Sequence, residues 1–93
     1  MAHTCDELVE MQRAADDAHA QVLKLREEYG PPTAQPWSEQ QTQTYETAWR
    51  AWRDLARDVQ AAITDHAEAE EKSRYDVEAA VKKAARHPEP ETD

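Results

Sequence analysis

The best-spaced candidates for coordinating a metal ion lie close together in the sequence. His66 and Glu70 are four residues apart, and Asp65 precedes His66. An imidazole and a carboxylate at that spacing share one face of a helix and could bind one ion. Two donors are too few without a third ligand from elsewhere. We therefore predict no metal, and we expect His66 to fix helix register or partner choice, as polar residues at core positions of coiled coils do.

The chain lacks the sequence patterns of the common enzyme classes. A single glycine, Gly30, cannot form a glycine-rich phosphate loop. No Gly-x-Ser-x-Gly, no pair of cysteines and no His-Glu-x-x-His are present. His3 and Cys5 lie at the amino terminus, where flexible chain ends bind metals weakly. The sequence therefore predicts a protein that is not an enzyme and holds no cofactor.

Tryptophan and arginine cluster in the middle of the chain. Trp49 and Trp52 alternate with arginines, and such mixtures can stack bases and hold phosphates. However, Glu46 and Asp54 each lie four residues from Arg50, a spacing that favours local ion pairs. Tryptophan and arginine also dominate the energetics of protein–protein interfaces. We expect a protein contact here and no direct binding of nucleic acid.

Acidic residues outnumber basic ones, and the formal net charge of the whole chain is −9. This charge disfavours binding to nucleic acid or to anionic membranes. Rows of carboxylates along rigid helices can instead imitate a phosphate backbone, which suggests an inhibitor of a basic nucleic-acid-binding protein as the alternative function. The commoner explanation is a solvated helix face. The adjacent acidic pairs are Asp6–Glu7, Asp16–Asp17, Glu27–Glu28 and Glu70–Glu71.

Helix breakers are confined to one loop and one tail. Between Pro36 and Pro88 the chain has neither glycine nor proline. Capping boxes at Thr4–Glu7 and Ser38–Gln41 mark two helix starts. We predict one domain with helix 1 over about 5–29, a loop over 30–37, helix 2 over about 39–86 and a disordered tail over 87–93.

Apolar residues recur at alternating steps of three and four in both predicted helices, as in coiled coils. Folding the arms back on one another places small residues of helix 1 against bulky residues of helix 2. A second stripe of helix 2, spaced by seven, contains Trp49, Ala56 and Ile63. The fold class predicted is all-α, an antiparallel helical hairpin with a long second helix.

The second helix would extend far beyond the first. A break near Ser73 is the alternative, but the lack of glycine and proline there favours a continuous helix. The projecting part carries Tyr75, Val77 and Val81, which are too apolar for a lone solvated helix. We therefore expect a second chain to cover them in a homodimer, as a helical bundle or coiled coil.

The functional expectation is a self-associating, non-enzymatic interaction or assembly protein. Its partner would be a second copy, or another protein with a basic or helical surface. The polar, acidic start and the lack of a long apolar run predict a cytoplasmic protein without a membrane contact. The residues expected to carry the interaction are Trp49, Trp52, Tyr75, Val77, Val81 and His66.

Overall fold

The computed structural model describes residues 3–86, and these residues form three α-helices. Helix α1 covers Cys5–Tyr29, α2 covers Glu39–Glu70 and α3 covers Arg74–Arg86. No strand occurs among the described residues, which confirms the all-α prediction. The tail predicted over 87–93 lies outside the described residues.

Both predicted capping boxes are present. At the start of α1, the Glu7 amide donates to Thr4 Oγ1 at 3.1 Å, and the Thr4 amide donates to Glu7 Oε1 at 2.8 Å. The start of α2 repeats this arrangement between Ser38 and Gln41, at 3.0 and 2.9 Å. Each cap satisfies two amides that the helix leaves unpaired, and such a cap typically stabilises a protein by about 1 kcal/mol.

The continuous second helix predicted over about 39–86 is wrong, because α2 ends at Glu70. The next residue, Glu71, adopts a left-handed conformation with φ 55° and ψ 46°. Its amide donates to the Glu68 carbonyl at 3.2 Å, and the Lys72 amide donates to the Ala67 carbonyl at 2.9 Å. This pair of bonds is a Schellman motif, which normally has glycine at the left-handed position.

The structure has a helix break near Ser73, which the sequence analysis gives as the less favoured alternative. The Asp76 amide donates to Ser73 Oγ at 3.3 Å, and the Val77 amide donates to the Ser73 carbonyl at 3.0 Å. Ser73 therefore acts as the start signal of α3. Acidic Asp76 lies in the first turn of α3, while Lys83 and Arg86 lie in its last turn, an order that suits the helix dipole.

Burial of α3 explains why the chain accepts the break. Val77 and Val81 are 6% and 0% exposed, within the core of their own chain. Fully burying a valine side chain contributes roughly 1.5–3 kcal/mol, which for two valines exceeds a cost of about 1–2 kcal/mol for one left-handed residue. The overhang that a second chain was expected to cover is therefore absent. The core cluster comprises Leu8, Val59, Ala62, Ile63, Ala67, Val77 and Val81.

The contacts between α1 and α2 run in opposite order along the two helices. His3, just before α1, reaches His66 near the end of α2, whereas His19 in the middle of α1 stacks on Trp52. Helix α3 passes from α2 to α1. Near its start, Arg74 Nε donates to Thr64 Oγ1 at 2.9 Å, and near its end the Ala84 carbonyl accepts from Arg13 at 3.4 Å.

Candidate functional site

Burial along α2 is strongly uneven, and this locates the candidate site. The buried residues of α2 are Val59 and four that follow it. None of residues 39–58 is buried, although this half carries Tyr45, Trp49, Trp52 and Leu55. We call residues 19–58, where α1 and α2 adjoin the loop, the two-helix end. Its apolar face is wide, and the end of α3 approaches it on the α1 side, where Lys82 and Arg86 line a cleft with His19.

The loop is fixed by Trp37. Its Nε1 donates to the Gly30 carbonyl at 2.9 Å, and its ring contacts Tyr29 and Tyr45 edge-on, with centroid distances of 5.4 and 5.1 Å. Gly30 ends α1 with φ 72°, a conformation that glycine adopts without strain. The sequence placed Trp37 in the loop but did not identify it as the group that joins the two helices.

Trp52 contributes to the packing between the helices. Its ring stacks on His19 with a centroid distance of 4.5 Å and an interplanar angle of 23°. Trp52 is half-buried by this contact. It therefore positions the site and offers less free surface than Trp49.

Trp49 is the exposed aromatic residue of the two-helix end, with 39% of its surface accessible. The Arg53 guanidinium lies 5.0 Å from the centre of the Trp49 ring, a cation–π contact. Arg50 forms an exposed ion pair with Glu46 at 4.0 Å. A shallow cleft of about 250 Å³ lies between these side chains. We call Tyr45, Glu46, Trp49, Arg50 and Arg53 the Trp49 patch.

The stripe of α2 spaced by seven shows where coverage by α3 stops. Ile63 is fully buried in the core that includes α3, Ala56 is half-buried, and Trp49 is exposed. Helix α3 leaves α2 near Gln60, which hydrogen-bonds to Glu78 and Arg74, and crosses to α1. The Trp49 patch is thus the uncovered continuation of the surface on which α3 packs.

The other residues expected to mediate interaction do not belong to this patch. His66 is 9% exposed, and its Nδ1 contacts the His3 carbonyl oxygen at 2.8 Å in the same chain. Tyr75 is 78% exposed but lies at the start of α3, away from the aromatic residues of the two-helix end. Val77 and Val81 are in the core. The structure therefore does not bring the six predicted residues together.

Neither a cluster of metal-ligating side chains nor a membrane-spanning helix is found among the described residues. Within residues 3–86, no three histidine, cysteine or acidic side chains are close enough together to hold a metal ion. None of α1, α2 and α3 is both long and apolar enough to cross a membrane.

Charged side chains join the first half of α3 to the second half of α2. Glu78 accepts from Lys82 and Arg74, each at 2.9 Å, and from Gln60 at 3.3 Å. The pKa of Glu78 is lowered, and the largest cause is the hydrogen bond from Lys82. Burial of the carboxylate acts in the opposite direction and raises the pKa, whereas the hydrogen bonds from Arg74 and Gln60 lower it further. This network joins α3 to α2 and includes no residue of the Trp49 patch.

Comparison with known proteins gives no precedent for this site: no protein-family model, no curated protein and no solved structure matches the chain.

Proposed function

We propose that this chain is a non-enzymatic helical protein for protein–protein interaction or assembly, with the Trp49 patch as its docking surface. The observation that carries the proposal is the exposed Trp49 on a half of α2 that contains no buried residue. Val77 and Val81 pack within their own chain, so they are not available for association. We therefore propose the two-helix end as the association surface in place of α3.

The composition of the patch supports this proposal. Tryptophan, tyrosine and arginine are enriched among the residues that dominate binding energy at interfaces. Here all three types lie within nine residues of one helix, from Tyr45 to Arg53. The rigid aromatic rings lose little conformational entropy on binding, whereas the arginines supply directional polar contacts around them.

Site-specific photocrosslinking in the native cell tests the proposal. A photoreactive phenylalanine analogue replaces Trp49 in one variant and Tyr75 in another, because both residues are exposed aromatics. We expect a discrete protein adduct at position 49, formed with any protein including another copy of this chain, and none at position 75. Equal labelling at both positions, or no adduct at position 49, would contradict the proposed docking surface.

The second candidate function is an acidic inhibitor that imitates nucleic acid. Its supporting observation is that all eight carboxylates of the four adjacent acidic pairs lie on exposed positions of α1, α2 and the turn after α2. Replacing Glu27, Glu28, Glu70 and Glu71 by glutamine removes four of these charges. An inhibitor of this class would bind purified basic nucleic-acid-binding proteins of the same cell, with an affinity that falls steeply with salt and with these substitutions.

A further inference from the structure

We infer that the partner that binds the Trp49 patch is a second copy of this chain. The α2 helices of the two copies would pack antiparallel to each other, and the two-fold axis that relates them would pass beside Trp49 and Arg50. This inference rests on the proposed docking function and names the partner. It differs from the dimer expected from the sequence, because the contact involves the two-helix end and α3 takes no part in it.

The first argument is the distribution of charge. Two copies that each carry a net charge of −9 repel each other unless they meet at a neutral surface. Residues 30–57 form such a region, since their three carboxylates are matched by three arginines, and the rest of the chain carries the whole net charge. This neutral region contains the Trp49 patch and all three tryptophans. The charged residues of the region are Glu39, Glu46, Arg50, Arg53, Asp54 and Arg57.

The second argument is self-complementarity along one stripe of α2. Glu46, Trp49 and Arg53 follow one another at steps of three and four, so they lie on one side of the helix. The stripe is acidic on the amino-terminal side of Trp49 and basic on its carboxyl-terminal side. A two-fold axis reverses the direction of the second helix. It therefore brings Glu46 of each chain opposite Arg53 of the other, and both pairs form at once.

The third argument is the available space. At Ile63, α2 packs against α3 as well as α1, and α3 then crosses to α1. The same side of α2 is therefore exposed at Trp49. A helix from a second chain could pack there as α3 packs farther along. The cleft between Tyr45, Glu46, Trp49 and Arg50 lies beside the proposed axis and offers an opening for an apolar side chain of the second copy.

Charge reversal at the two ends of the stripe tests this arrangement. The wild-type chain should have a mass near twice 10.6 kDa by sedimentation or light scattering. In the Glu46→Arg variant, an arginine at position 46 of each chain faces Arg53 of the other. In the Arg53→Glu variant, a carboxylate at position 53 of each chain faces Glu46 of the other. We expect each variant to raise the dimer dissociation constant by about tenfold or more, since like charges facing each other oppose association.

Recombining the charges provides the decisive measurement. An equimolar mixture of the Glu46→Arg and Arg53→Glu chains should form heterodimers, because both contacts then pair opposite charges. The double variant Glu46→Arg/Arg53→Glu should recover a homodimer. Lys24→Glu and Glu68→Arg are matched controls at exposed positions outside the patch, and they should change the dissociation constant little. Circular dichroism verifies that every variant is folded.

Two outcomes would overturn the inference. One is a wild-type chain that remains a monomer at about 100 μM, well above the concentrations at which stable dimers form. The other is a dimer that neither charge reversal weakens, or that shows no preference for the mixed pair. In either case a specific adduct of another protein at position 49 would still support the docking surface, so the failure of this inference is distinguishable from the failure of the proposed function.

Discussion

The Nδ1 atom of His66 lies 2.8 Å from the main-chain oxygen of His3, which joins the start of α1 to the last turns of α2. Because a carbonyl oxygen can only accept, Nδ1 carries the proton in this contact. We expect His66→Leu to lose about 1 kcal/mol of unfolding free energy through the lost hydrogen bond. Urea denaturation followed by circular dichroism measures the change.

An asparagine at the same position is the matched control for His66, because its amide can donate from nearly the place of Nδ1. His66→Asn should retain most of the stability that His66→Leu loses. Equal losses in the two variants would show that the ring contributes by packing and that the hydrogen bond adds nothing.

The left-handed Glu71 provides a second prediction. Glycine adopts this conformation without steric cost, and removing the carboxylate also relieves its repulsion by the negative end of the α2 dipole. Glu71→Gly should therefore raise the unfolding free energy by about 0.5–1 kcal/mol. Thermal denaturation should show a higher midpoint. In contrast, Glu68→Gly, at an exposed helical position three residues earlier, should lower stability by about the same amount.

Val81 distinguishes packing within one chain from packing between chains. Val81→Ala removes two methyl groups from a fully buried site, and we expect a loss of about 2 kcal/mol. If the site lies in the core of a single chain, this loss should be the same at low and high protein concentration. A loss that disappears as the protein is diluted would instead place Val81 at a contact between chains. Tyr75→Ala, at a largely exposed position of the same helix, should have little effect.

Glu78 predicts a dependence of stability on pH. Its hydrogen bonds, led by the one from Lys82, lower its pKa in the folded protein. A lowered pKa means that the stabilisation is fully present above the unfolded-state pKa and is lost as pH falls through the folded-state value. Glu78→Gln should therefore be less stable than wild type at neutral pH. The difference should shrink between about pH 5 and pH 3 in urea titrations at fixed pH. A constant difference over that range would contradict this assignment.

Local signals in the sequence predicted much of the fold. The two capping boxes identified the starts of α1 and α2, and the all-α class followed from composition and periodicity. The end of α2 was missed because Glu71 is an uncommon residue for a left-handed cap, and only tertiary burial of Val77 and Val81 compensates for it. Ser73, with Asp76 three residues later, is a weak signal for the start of a new helix. The lack of glycine and proline between Pro36 and Pro88 outweighs it and favours a continuous helix.

The candidate site was predictable only in part. Trp49 could be chosen from the sequence because tryptophan and arginine cluster around it. Its exposure could not be predicted, because exposure depends on where α3 crosses from α2 to α1. The same crossing explains why Val81, which has the sequence character of an interface residue, lies in the core.

The location of the three tryptophans has a practical consequence for measurement. Trp37, Trp49 and Trp52 all lie in the two-helix end, and α3 has none. Intrinsic tryptophan fluorescence therefore reports the environment of the loop and the Trp49 patch, whereas far-ultraviolet circular dichroism reports all three helices. If α3 detaches before the rest unfolds, the two signals will give different transition midpoints, and coincident midpoints will show that the molecule unfolds as one cooperative unit.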